Sequence, residues 1–118
     1  MKTIAEMLKK MDEPLRWVFT GDSITHGALH TFGQRDYVQL FEERLRYEMG
    51  RSRDVVIRTA ISGWNAQRIH DDMEWNILQF KPHVVSIMVG MNDPHLGNDH
   101  LRIYEENYRR ILDTVEKT

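Results

Sequence analysis

The sequence predicts an α/β domain built on a parallel sheet, and three observations carry that prediction. Short apolar runs and helix-period stripes alternate three times along the chain, the pattern of βαβ units with right-handed crossovers. The third run, VVSIMV at 84–89, is apolar enough to be buried on both faces, as parallel strands are. Each of the three runs ends directly in a loop of small and polar residues. At 118 residues the chain amounts to one domain, spanning 1–118, with no repeat, linker or low-complexity tract.

The elements follow in order. Ile4, Leu8 and Met11 have helical spacing, and Pro14 stops that helix. Trp17, Val18 and Phe19 form the first strand, which ends at Gly21. Val38, Phe41, Leu45 and Met49 step by three and four and predict a helix closed by Gly50. Val55, Val56 and Ile57 are a β-branched second strand. Ala66, Ile69, Met73, Ile77 and Phe80 predict one helix ended by Pro82, and 84–89 is the third strand. Leu101, Tyr104, Tyr108, Ile111 and Val115 give the last helix.

Composition sets bounds on function. The net charge of −2, with both signs interspersed, provides no footprint for nucleic acid or an anionic membrane. The absence of cysteine removes disulfides, thiolate nucleophiles and Cys-ligated zinc. The segment MKTIAEMLKKMDEP has no apolar run of signal-peptide or membrane-spanning length, so the chain reads as cytoplasmic.

In a parallel sheet, sites form beyond the carboxyl ends of the strands. The first strand runs into Gly21-Asp22-Ser23, the second into Ser62-Gly63-Trp64-Asn65, and the third into Gly90-Met91-Asn92-Asp93. These loops share one edge, so distant residues are expected to converge there. A serine in the first turn after a strand places its N–H where a developing oxyanion is stabilised. Gly63 leaves its own N–H open to a ligand, and Asn92 supplies a side-chain amide donor. Gly21 and Gly27 permit tight backbone geometry, and Asp22 is expected to orient its turn through local amides.

GDSITHG, the glycine of ISGWN, and GMND together resemble the first three sequence blocks of the SGNH, or GDSL-type, esterase and lipase family, over roughly residues 15 to 112. KPHVVSIMVGMND also resembles that family's approach to its third block, with His83 where an acidic residue is more usual. The resemblance implies Ser23 as nucleophile, and an oxyanion hole of the Ser23 N–H, the Gly63 N–H and the Asn92 side chain. Gly21, Asp22, Gly27, Gly90 and Asp93 belong to the matching blocks. It further implies a flavodoxin-like three-layer α/β/α fold with about five parallel strands, of which this chain carries the first three. A small-molecule carboxylic ester is the implied substrate, and no metal or other cofactor is implied.

The family's general base is a histidine in an Asp-x-x-His block. None of the aspartates at 12, 22, 36, 54, 71, 72, 93, 99 or 113 has a histidine three residues on. A serine hydroxyl needs a positioned base, so the base is expected from sequence not present here or from another chain. The alternative is a non-catalytic binding module that retains the pocket. A nucleotide-binding domain is disfavoured, since there is no Gly-rich phosphate loop.

Several residues have plainer readings. His26, His95 and His100 could stand in as bases, but solvated loop histidines are the expectation; a metal site that adds His30 is not expected either. Asp71 and Asp72 read as a solvated helix face. Trp64 is a candidate pocket wall, and Trp75 lies off its helix stripe, as an exposed or interface residue would. Tyr104 and Tyr108 fit the core stripe. The third strand is expected at a sheet edge, open to self-association.

Overall fold

Three parallel strands, β1 (Arg16–Gly21), β2 (Val55–Arg58) and β3 (Val84–Met88), form the sheet in the order β2-β1-β3. The computed structural model describes residues 2–118, with residues 28 and 29 in backbone only. Val18, in the central strand, lies opposite Ile57 on one side and Val85 on the other. Successive side chains of β1 point to opposite faces. Trp17 and Phe19 therefore pack with Val38, Leu45 and Phe41 on one side, while Val18 packs with Ile69, Met73, Ile77 and Ile111 on the other. The result is the three-layer α/β/α arrangement expected from the sequence.

The first face is covered by α1 (Ile4–Leu8) and α3 (Tyr37–Glu43). Phe41 stacks edge-on against Trp17 at 5.1 Å between ring centroids. Asp36 caps α3 by accepting from the Gln39 N–H at 2.9 Å, with Gln39 reciprocating. The helical stripe at 38–49 widens into a π-turn over Arg44–Glu48, where the Met49 N–H reaches back to the Arg44 carbonyl. Met11 lies in a turn beyond the end of α1 and is exposed.

The opposite face carries α4 (Ala66–Asp71), α5 (Met73–Asn76) and α6 (His100–Glu116). The single helix expected over 66–80 is divided at Asp72 (φ −123°) and again at Ile77 (φ −132°). Asn76 explains how the break is tolerated. Fully buried, it donates from Nδ2 to the Ile69 and Asp72 carbonyls at 3.1 and 2.7 Å, bridging the break with bonds added to those that the backbone already makes there.

The entry to β1 is fixed by a buried ion pair. Arg51 Nε donates to Asp54 Oδ2 at 2.7 Å, with both residues buried. Asp54 also accepts from the Leu15 N–H and the Trp17 indole, each at 3.0 Å, and Arg51 reaches the Leu8 and Glu13 carbonyls. Burial pushes the Asp54 carboxyl up, but the bonds from Arg51, Leu15 and Trp17 outweigh it and hold the pKa below its ordinary value. His83 accepts the Arg16 N–H on Nδ1 at 2.9 Å. Burial and then the Arg16 charge hold its pKa down.

β3 lies at the edge of the sheet, as expected, and for that reason is only partly buried rather than covered on both faces as its apolar run suggested. The Asp22 N–H bonds the Met88 carbonyl, so even-numbered carbonyls of β3 face β1 and odd-numbered ones face outward. Two of these outward carbonyls, Ile87 and Val89, accept hydroxyls from Tyr108 (3.1 Å) and Tyr104 (3.4 Å) of α6. Burial raises the pKa of both phenols. Beside the other end of β3 an apolar groove of about 740 Å³ runs between Leu78, Pro82, Val85 and Val115. No helix among the described residues is long and apolar enough to cross a membrane.

The ion pair gives the first prediction. Asp54→Ala strands a buried guanidinium and should cost about 3–5 kcal/mol in urea unfolding. The wild-type carboxylate contributes fully above its ordinary pKa of 3.8 and loses that contribution as the pH falls through its lower folded value. Asp54→Asn should flatten that acid limb; an unchanged limb would show that the pair is not its source.

Candidate functional site

The end of β1 bonds to the chain beyond β2 and to the last residue of β3 at one point. Gly21 accepts the Ile61 N–H at 3.1 Å, and the Asp22 N–H donates to Met88 at 3.3 Å. Gly21 has φ +154°, and a Cβ there would overlap the Met88 carbonyl, so the position demands glycine. The chain then turns into α2 (Ser23–His26), capped by Asp22, whose Oδ1 accepts the Ile24 N–H at 3.0 Å. Asp22 is 1 % exposed and its Oδ2 has no partner among the described residues. Ser23 is partly exposed at the first turn of α2, where its N–H has no partner within the helix. Gly27 closes α2 against Asp36, whose carboxylate also takes a bidentate pair from Arg58 at 2.8 Å.

After β2 the chain makes a tight turn, in which the Trp64 N–H donates to the Ile61 carbonyl at 3.2 Å. Gly63 has φ +86°, as the third residue of a type II turn requires, and is exposed with open space around it. Among the described residues its N–H is unengaged. Trp64, by contrast, is 9 % exposed, belongs to the core and stacks on Trp75 at 6.1 Å. Trp75 is 44 % exposed, in keeping with its place off the helix stripe.

After β3, Gly90 turns the chain at φ +134° with Tyr104 beside it. Asn92 then donates from Nδ2 to the Trp64 carbonyl at 2.9 Å. That bond uses one of the two amide protons. Asp93 is 1 % exposed and accepts the Ala66 N–H on Oδ1 at 3.2 Å, fastening the third loop to the start of α4.

The loops after the three strands are thus tied to the same turn at 61–64. The link from the first loop is His26, whose Nδ1 accepts the Ser62 N–H at 3.0 Å. The Ser62 Oγ lies 3.0 Å from the same nitrogen and 3.2 Å from His30 Nε2. Sequence reasoning grouped His26 with the solvated loop histidines, because a partner 36 positions away leaves no trace in local spacing. The remaining candidates stay apart from this cluster. His95 is exposed, His100 bonds the Gly97 carbonyl of its own loop, and Asp71 and Asp72 are exposed.

The sequence profile of the GDSL-like lipase/acylhydrolase family matches residues 19–118. This chain belongs to that family. A Mycoplasma pneumoniae protein of uncharacterised function is 36 % identical over 117 residues, covering 96 % of this chain and 13 % of its own length. A GDSL-like lipase from Parabacteroides merdae has a similar fold, with TM-score 0.77 at 24 % identity, over 89 % of this chain and 55 % of its own. The acetyl xylan esterase AlAXEase is 26 % identical at TM-score 0.71, over 87 % of this chain and 53 % of its own. An acetylxylan esterase from Geobacillus stearothermophilus, in a catalytic-mutant form, is 26 % identical at TM-score 0.65, over 86 % and 55 %. This GDSL-like chain therefore spans about half the length of those solved relatives.

Two glycines of this GDSL-like site should respond differently to alanine. Gly21→Ala forces the β1–β3 pairing apart and should cost at least about 3 kcal/mol. Gly63→Ala meets no neighbour and carries only the backbone penalty of about 1–2 kcal/mol. Thermal unfolding of the two variants side by side checks this; equal losses would contradict the contact at Gly21.

Proposed function

We propose that this chain carries the nucleophile and the oxyanion donors of a serine esterase. Ser23 is the nucleophile, and the acceptor site for the developing oxyanion is formed by the Ser23 N–H, the Gly63 N–H and the second Asn92 amide proton. The observation that carries this reading is the tying of the Ser23, Gly63 and Asn92 loops to one turn by His26 and Asn92. Two backbone donors and a neutral amide are a donor set suited to the alkoxide of a tetrahedral intermediate, where each donor is typically worth about 10²–10³ in rate. Short-acyl esters such as acetylated sugars are the proposed substrates, because two of the similar solved structures are acetyl xylan esterases. A polar recess of about 500 Å³ adjoins His26, lined by Thr31, Gln34, Gln39 and Arg58, and is suited to a hydroxylated alcohol portion.

The general base is proposed to come from polypeptide paired at the outer edge of β3, either sequence following these residues or a second chain. No histidine among the described residues is hydrogen-bonded to the Ser23 side chain. That same fact favours the second reading, a binding module that retains the donor set without turnover. His26 is a poor substitute base. Its Nδ1 is occupied by the Ser62 N–H, which places the proton of the neutral ring on Nε2.

A fluorophosphonate probe separates the readings. In a protein that includes the base, it should label Ser23, and Ser23→Ala should abolish both labelling and hydrolysis of short aryl esters. Asn92→Ala should lower kcat by about 10²-fold with little change in KM. Absence of labelling and of turnover alongside retained binding of acetylated sugar would favour the module.

A further inference from the structure

His26 makes a contact that neither the fold nor nucleophilic chemistry at Ser23 requires. It is the last residue of α2, one turn from Ser23 on the same helix. Its Nδ1 lies 3.0 Å from both the N–H and the Oγ of Ser62, the residue immediately before Gly63. An amide nitrogen can only donate, so Nδ1 must be unprotonated. The hydroxyl, equally close, has His30 Nε2 at 3.2 Å as its alternative partner.

We propose that His26 is a positioning residue that sets the Gly63 N–H relative to Ser23 by anchoring Ser62. The other corners of the turn are held independently. The Ile61 N–H is held by the Gly21 carbonyl, and the Trp64 carbonyl by Asn92. Ser62 and Gly63 are the exposed middle of the turn, and nothing lies within 4 Å of where a Gly63 side chain would start. A glycine at the third position of a β-turn fits more than one turn type. Without an anchor on Ser62, the Ser62–Gly63 peptide is free to rotate and turn the Gly63 N–H away. The His26 ring restrains Ser62, the residue from which that peptide starts, and its own helix carries Ser23, so both backbone donors are tied to one element. The catalytic consequence rests on the esterase reading above; the anchor itself does not.

The test exploits where side-chain acceptors lie. The Oδ1 of asparagine takes the place of Nδ1, whereas the Oε1 of glutamine takes the place of Nε2. His26→Asn should therefore retain the anchor, while His26→Gln and His26→Ala should lose it. In wild type and His26→Asn, the Ser62 amide should exchange slowly with solvent by NMR, and the wild-type His26 ring should appear as the Nε2–H tautomer. In His26→Gln and His26→Ala, Ser62 exchange should accelerate at least tenfold and the Gly63 amide resonance should shift or broaden, with melting temperature little changed. In a protein that includes the base, kcat of His26→Gln on a short aryl ester should fall between about tenfold and 10²-fold at near-constant KM, and His26→Asn should restore most of it. Equal Ser62 exchange in wild type and His26→Ala, or no difference between His26→Asn and His26→Gln, would overturn the proposal. So would an unchanged kcat in a variant that has lost the anchor. If, in a protein that includes the base, neither wild type nor any variant hydrolyses any ester, the esterase reading fails, and the exchange measurements still decide the anchor.

Discussion

The site depends on the way β1 ends. At Gly21 and Asp22 the central strand bonds to the chain beyond β2 and to the last residue of β3 at once. A side chain at Gly21 would occupy the space of the Met88 carbonyl, so this three-strand junction exists only because position 21 has no Cβ. Everything downstream inherits its position from that junction. Asp22 caps α2 directly after it, Ser23 follows in the first turn, and the 61–64 turn is held against it by Ile61. Asn92 and Asp93 then close the third side onto Trp64 and Ala66.

Buried polar groups do the joining. Asp22 and Asp93 are each 1 % exposed; Asp22 spends one oxygen on the Ile24 amide of its own turn, and Asp93 spends one on the Ala66 amide of the neighbouring loop. Polar groups are costly to bury without hydrogen bonds, and an apolar residue at either position could not make the bond that holds the loop end in place. At the opposite end of the sheet, Asp54 does similar work with Arg51, gathering the Leu15 amide and the Trp17 indole so that β1 enters the sheet in a fixed register. Both ends of the central strand are thus set by carboxylates, and its middle by Val18 and Phe19 packing to opposite faces.

Much of this was legible in the sequence, for physical reasons that also mark where legibility stops. Parallel strands are short, continuous apolar runs, so the existence of β1, β2 and β3 could be read from hydrophobicity. The loop residues Ser23, Gly63 and Asn92 stood out because each lies in the loop that follows such a run, within a block resembling one of the family's. The helix expected over 66–80 kept its apolar stripe but not its continuity. Its break is supported by Asn76, a polar residue that is buried only because tertiary structure brings the Ile69 and Asp72 carbonyls to it. His26 was missed as a structural participant for the same reason. Its partner Ser62 lies in a different βα unit, and nothing in the spacing of GDSITHG announces the bond. The tyrosine stripe of α6 was read as core, and the rings do pack there. Their hydroxyls reaching the outward carbonyls of β3 could be seen only with the strand's hydrogen-bond phase known.

The central claim is that the three strand-end loops converge to stabilise an oxyanion on a group attached to Ser23. A crystal structure of the protein after reaction with a fluorophosphonate tests it most directly. The account predicts a phosphonyl group on Ser23 Oγ, with its oxygen within hydrogen-bonding distance of the Ser23 N–H, the Gly63 N–H and Asn92 Nδ2, and with Asn92 still bonded to the Trp64 carbonyl. An adduct on Ser62, or one on Ser23 whose oxygen points to solvent away from Gly63 and Asn92, would contradict it.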